Sequence, residues 1–155
     1  MGAAPVVRLA TADDVPVLTG LRLAFKDSDG TVPAQRRMAI AADLEHNLAG
    51  SIASGEVVAI LAESDGVVVS TAWLSFAHLF NGGLTATLFN VWTPPKWRRR
   101  GFARVAVLAA MDEARRRGAV QIDLMASDEG YQLYESLGWR RNPQPAMRLE
   151  LSDVG

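Results

Sequence analysis

The residues with the clearest chemical potential lie between Val91 and Val105, in the run VWTPPKWRRRGFARV. Three arginines, Arg98, Arg99 and Arg100, stand directly before Gly101, and Phe102, Ala103 and Arg104 then open an amphipathic stretch. The first turn of a helix leaves four backbone N–H groups unpaired and carries about half a positive charge, so it attracts anions. Gly101 lets a ligand approach the backbone, Ala103 keeps the first turn slim, and guanidinium groups add charge and donors matched to phosphate. The arrangement points to an anion the size of a pyrophosphate. In isolation an arginine run is a solvated patch or a nucleic-acid contact; its place just ahead of a glycine and a helix favours phosphate. The dinucleotide fingerprint and the Walker loop are both absent. A second run, Arg115 to Arg117, has a structural reading: cations suit a helix C-terminus, and Asp112–Arg116 and Glu113–Arg117 are i,i+4 pairs. His46 and His78 lack the partner spacing of a metal site, and no metal is expected.

These residues need elements to hold them. Val6 to Leu9 suits a strand, and Thr11 with Asp14 forms a capping box ahead of a helix reaching about Lys26 through Val15, Leu18, Leu21 and Phe25. A second helix begins near Pro33, buries Ala41, Leu44, Leu48 and Ile52, and stops at Gly55. Strands follow at Val57 to Ala62, Val67 to Ala77 and Leu84 to Trp92, separated by the turn signals Ser64-Asp65-Gly66 and Asn81-Gly82-Gly83. Pro94-Pro95 halts the last of them. Ala103 to Arg117 is helical and Gly118 stops it. Ile122 to Ala126 reads as a strand, Tyr131 to Leu137 as a short helix ended by Gly138, and Trp139 to Asn142 and Ala146 to Leu151 as closing strands. Hairpins plus one helical crossover imply an α/β fold: a mixed sheet of six or seven strands flanked by about four helices.

At 155 residues, residues 1–155 are expected to form a single domain. With no cysteine there is no disulfide framework, no thiolate nucleophile and no Cys-ligated metal. The apolar runs are too short for a membrane helix and the N-terminus lacks a signal pattern, so a cytoplasmic protein without a membrane partner is expected. A net charge of −1 gives no global field toward nucleic acid. Lys26 and Lys96 are the two lysines among 16 basic residues, a bias that suggests a GC-rich bacterial source.

Arg98-x-x-Gly101-x-Ala103 resembles the Q/R-x-x-G-x-G/A pyrophosphate loop of the GNAT superfamily of N-acetyltransferases. Leu133-Tyr134-Glu135-Ser136-Leu137-Gly138-Trp139 is similar to that family's L-Y-E-x-L-G-[FW] helix and sits at the required distance. The opening, with Arg8 and the T-x-x-D cap, resembles the family's first strand and helix, so the likeness spans about the whole chain.

The resemblance implies acetyl-CoA as cosubstrate and an amine acceptor. It implies that the backbone of Val91, Trp92 and Thr93 pairs with the pantetheine arm and that the amides from Arg99 to Arg104 hold the pyrophosphate. Ser127 stands where many members carry an asparagine that contacts the pantetheine. Tyr134 matches the tyrosine proposed to protonate the departing CoA thiolate, a general-acid role. The strand from Leu84 to Trp92 has no Asp, Glu or His to act as base; Asn90 or Thr93 would position a water instead, and Asp27, Asp29 and His78 are the other candidates. A small-molecule amine is the preferred acceptor over a protein N-terminus or lysine. The rivals are a non-catalytic CoA-binding regulatory module, separated by turnover with an amine panel, and a nucleic-acid binder, separated by salt-dependent binding without CoA competition. The apolar hairpin from Trp73 to Leu88 suggests a twofold homodimer.

Overall fold

The computed structural model describes residues 4–151, which build one five-stranded sheet in the order β1-β2-β3-β4-β5. The strands are β1 (Val6–Leu9), β2 (Val57–Ser64), β3 (Val67–Ala77), β4 (Leu84–Trp92) and β5 (Ala119–Asp123). Pairing is antiparallel from β1 to β4 and parallel between β4 and β5. The helices are α1 (Val15–Asp27), α2 (Ala34–Ser54), α3 (Phe102–Arg116) and α4 (Tyr131–Ser136). α3 makes the crossover from β4 to β5, which a parallel pair requires.

Both faces of the sheet are covered. Ile60, Leu74 and Leu88 pack with Val107 and Ala110 of α3 on one face. Ala59, Leu61 and Trp73 pack with Leu18, Leu21, Leu44 and Leu48 of α1 and α2 on the other. This is why β2 reads as an apolar run with no alternation: its odd and even positions are both buried. At the outer end Arg8 ties three segments together. Its two terminal nitrogens donate to Asp14 at 2.8 Å each, and its Nε donates to Glu63 of β2 at 3.0 Å. The Thr11–Asp14 cap is present, but it opens a 3-10 turn over Ala12–Asp14, and α1 begins after it.

Three expectations are corrected. The sheet has five strands among the described residues, because neither Trp139 to Asn142 nor Ala146 to Leu151 joins it. Pro143 and Pro145 offer no N–H to a ladder, and Met147, Leu149 and Leu151 alternate with polar residues while remaining exposed. Glu150 pairs instead with Arg36 of α2. The fifth strand also starts earlier than Ile122 and ends before Ala126. Gly118, at φ 84°, turns the chain straight into the ladder that sets Leu84 beside Ala119 and Thr87 beside Asp123. At the end of α3, Glu113 pairs with both Arg116 and Arg117, while Asp112 pairs with Arg115 in place of Arg116. No helix among the described residues is long and apolar enough to cross a membrane.

Candidate functional site

Beyond Thr87 and Asp123, β4 and β5 part. From Leu88 to Trp92 the outer edge of β4 therefore has no strand partner among the described residues. β4 also kinks there. Phe89 and Trp92, three residues apart, oppose Trp73 and Thr71, two residues apart on β3. The extra residue makes a bulge, and Asn90 within it sits at φ 50°, a left-handed conformation that asparagine tolerates better than most residues. Asn90 is 4% exposed. Its Oδ1 accepts a 3.4 Å hydrogen bond from Arg22 of α1, while its Nδ2 and the indole Nε1 of Trp92 are buried without a partner.

The chain leaves β4 through a 3-10 turn over Pro95–Trp97 and reaches α3 through the arginine loop. Arg99 lies at φ 63° and Gly101 at φ 80°. A left-handed arginine costs about 1–2 kcal/mol, and alternating backbone handedness turns successive amides toward one concavity. Gly101 is the N-cap of α3 and has no side-chain oxygen to satisfy the first turn. The amides of Phe102, Ala103 and Arg104 are thus left for an outside acceptor. A hollow of about 300 Å³ opens there, lined by Thr93, Arg98, Arg99, Gly101, Ala103 and Arg104, with Leu133 of α4 closing one side. Arg98 is fastened inward: its Nε donates to Thr93 O at 2.9 Å, and its guanidinium lies 4.8 Å from the Trp92 ring centroid. Arg100 instead covers Trp97 at 5.3 Å.

A second cavity, about 900 Å³, lies between the end of β5, α4 and residues 139–146, and Tyr134 and Ser127 line it. The motif around Tyr134 has a structural logic of its own. Leu133, Tyr134, Leu137 and Trp139 pack against the α3-side core. Gly138 at φ 103° turns the chain, and Trp139 Nε1 donates to Ile122 O at 3.0 Å, anchoring α4 to β5. Trp139 meets the Tyr134 ring edge-on at 5.7 Å. Burial pushes the Tyr134 phenol up to about 12. It therefore keeps its proton through the whole neutral range and acts as a donor. Ser127 Oγ accepts from Gly130 N at 3.1 Å just ahead of α4, which leaves its O–H as a donor.

The structure brings Val91, Trp92 and Thr93 beside the arginine loop, with Leu133 of α4 on the loop side and its neighbour Tyr134 on the other cavity. Asn90 is not part of either hollow; it faces α1. The base candidates are scattered. His78 is exposed, stacked on Phe80 at 4.6 Å, and stands past the Ala77–Thr85 pair, roughly 17 Å along the strand from Asn90. Asp27 is bound by Arg37 at 2.9 Å, and Asp29 by the Thr31 hydroxyl at 2.7 Å. Thr93 Oγ1 is engaged with Ser70 Oγ at 2.8 Å. Sequence reasoning missed Arg22. Its signal was available: it falls between Leu18 and Phe25 on the apolar stripe of α1, where a cation needs a reason. Among the described residues no cluster of His, Cys, Asp or Glu is placed to hold a metal ion.

The sequence profile of the acetyltransferase (GNAT) family matches residues 25–139. No curated protein sequence matches the chain. Solved structures share its fold. A predicted acetyltransferase from Clostridium acetobutylicum, solved with acetyl-CoA, superposes with a TM-score of 0.79 at 24% identity over 96% of each chain. Glucosamine-6-phosphate N-acetyltransferase from Arabidopsis thaliana gives 0.72 at 17% identity, over 95% of this chain and 99% of that one. Ribosomal-protein-alanine N-acetyltransferase from Brucella melitensis gives 0.73 at 16% identity, over 96% and 100%.

Proposed function

The chain belongs to the acetyltransferase (GNAT) family and is therefore an acyltransferase whose cosubstrate is acetyl-CoA; on that premise we propose that it acetylates the primary amine of a small molecule. The observation that carries the reading is the continuity of the open β4 edge, Leu88 to Trp92, with the uncapped N-terminus of α3. A strand edge suits the amide groups of a pantetheine arm, and helix amides suit a pyrophosphate. In this reading Val91, Trp92 and Thr93 take the arm, and Arg99 to Arg104 take the phosphates, with Arg98 holding the loop in place. Ser127 borders the arm from the far side.

Acetyl-CoA supplies a thioester, an acyl group with a good leaving group. A backbone N–H of the kinked β4 stabilises the carbonyl oxygen on which charge develops. The amine nitrogen forms the new C–N bond as the C–S bond breaks and sulfur takes the electron pair. Tyr134 gives its proton to that sulfur, and the amine proton returns to the phenolate or leaves through water. Asn90 orients the acceptor or that water; an amide is no base, and its oxygen already accepts from Arg22. Arg22 and Lys26, on the α1 face beside Asn90, do not suit a basic peptide, which supports a small acceptor. Neighbours of this fold take both a sugar phosphate and a protein N-terminus by name, so the fold alone does not choose.

We further propose a twofold dimer, supported by the exposed Leu79 and Phe80 between β3 and β4. The acyltransfer reading is tested by mass spectrometry and thiol release with acetyl-CoA and an amine panel. Acetylated product with stoichiometric CoA is expected; binding of CoA without turnover of any amine overturns it in favour of a regulatory module.

A further inference from the structure

The face of the sheet opposite α3 carries two cations that form no ion pair among the described residues. Arg22 and Lys26 stand four residues apart on α1, so they share one helix face, where like charges repel. Both are half-buried. Among the described residues no carboxylate forms an ion pair with either. Arg22 lies over the Phe89 ring at 5.8 Å and donates to Asn90 Oδ1 at 3.4 Å, its one side-chain hydrogen bond. Burial lowers the Arg22 guanidinium below its ordinary value, and burial with repulsion from Arg22, Arg148 and Arg36 lowers the Lys26 ammonium. Asp29 offsets only part of this, and it is already bound by Thr31.

A second, independent feature points to the same place. Because Oδ1 of Asn90 faces Arg22, its Nδ2 is the amide end left over, and it is buried with no acceptor. Trp92, packed on the same face, has its indole N–H buried in the same condition. Guanidinium, ammonium, amide N–H and indole N–H are all donors. The local inventory is an excess of donors over acceptors, and of positive charge over the single partly offsetting carboxylate of Asp29. Water can accept from these groups but cannot cancel their charge.

We infer that the acceptor amine carries an anionic oxygen group, a carboxylate or a phosphate, held by Arg22, Lys26 and Asn90 Nδ2. The identity of this ligand as the acceptor rests on the acetyl-transfer reading above; the anion site itself does not. The site is separate from the phosphate loop, since α1 and α3 pack on opposite faces of the sheet. It adjoins the reacting centre of that reading, because Asn90 immediately precedes Val91 on β4. An anion fixed there sets where the amine of the same molecule lies. Amines without an anionic group lack what would hold them, and protonated polyamines also meet repulsion from both cations.

The test is calorimetry with three acetamide probes on CoA-saturated protein at fixed ionic strength, so that the phosphate loop is filled. N-acetylglycine carries a carboxylate, the phosphate monoester of N-acetylethanolamine carries a phosphate, and N-acetylglycinamide carries neither. At least one anionic probe should bind tenfold or more tightly than the amide, and the tighter of the two names the class. Arg22→Gln should weaken that probe by roughly 10- to 100-fold, and Lys26→Gln by less, while CoA affinity stays within a few-fold. Lys26 is the more exposed position and serves if the Arg22 variant is unstable. Equal binding of N-acetylglycine, the phosphate and the amide, or anionic binding unchanged in both variants, overturns the proposal. Should CoA itself fail to bind while the anionic probes still depend on Arg22, the acetyl-transfer reading falls and the anion site stands.

Discussion

Arg98 Nε donates a 2.9 Å hydrogen bond to the carbonyl oxygen of Thr93, bridging the end of β4 and the loop that opens α3. The same guanidinium covers Trp92. Arg98 thus sets the position of the loop, and in the proposed function the amides that follow meet the phosphates. Replacing it by alanine removes both contacts. CoA affinity, measured by calorimetry, should fall roughly tenfold, and Arg98→Lys should not restore it, because lysine offers neither the planar stack nor the Nε donor. Full recovery in Arg98→Lys would mean that charge alone matters there.

Tyr134→Phe keeps the ring that packs on Trp139 and removes only the hydroxyl. CoA affinity should stay within a few-fold, while kcat falls by roughly 10²–10⁴ if proton donation to sulfur limits the rate. Turnover at the wild-type rate, with chemistry shown to be rate-limiting, would leave Tyr134 a packing residue.

The pH profile carries a separate sign. A general acid works only while protonated, and burial places the Tyr134 phenol at about 12. The alkaline loss of kcat/KM for the free enzyme should therefore be absent through about pH 11, where a tyrosine of ordinary pKa would already be mostly ionised. A decline centred near pH 10 that disappears in Tyr134→Phe would contradict the burial argument.

Much of this arrangement is legible in the sequence, and what is not has a common cause. Gly55, Gly101, Gly118 and Gly138 all fall where the chain turns at positive φ, because a residue lacking Cβ announces a local need. Leu133 to Trp139 is legible because each apolar position in it meets the core. The bulge at Asn90 is not, since it exists only in the register of β4 against β3. The start of β5 likewise depends on its pairing with β4, fixed across the whole of α3. Residues 146–151 alternate like a strand, yet alternation cannot show that no strand edge receives them. Arg22 is only half legible: its place on the stripe of Leu18, Leu21 and Phe25 marks a buried cation but says nothing of what that cation faces.

The Arg8–Asp14 pair gives a prediction for stability. Hydrogen bonds from Arg8 and from Thr11 N–H hold the Asp14 carboxyl at about 2, against an ordinary 3.8. Folding favours the ionised form, so the contribution is complete above about pH 4 and is lost as pH falls toward about 2. With Arg8 40% exposed, solvent screening leaves about 1–2 kcal/mol. Urea unfolding of Asp14→Asn should show that deficit at pH 7 and a much smaller one near pH 2. A deficit that does not change with pH would assign the loss to the cap geometry alone.

Sedimentation should report a species of twice the 16.7 kDa chain mass. Phe80, 85% exposed beyond β3, is the first residue to change. Phe80→Ser should shift the equilibrium to monomer, and a monomeric wild type at micromolar concentration would reject the dimer.

In the proposed function acetyl-CoA is held at the loop ending in Gly101. At φ 80° a valine there is a severe backbone outlier, although a Cβ would meet no protein atom within 4 Å. In the proposed placement that open space is the ligand's, and the strain disturbs the amides that would bind it. Calorimetric titration of CoA into wild type, Gly101→Ala and Gly101→Val is the direct measurement, with circular dichroism to show that each remains folded. Affinity should fall in that order and by at least tenfold in Gly101→Val, about 1.4 kcal/mol. Equal CoA affinity in wild type and a folded Gly101→Val would contradict the placement of the cosubstrate.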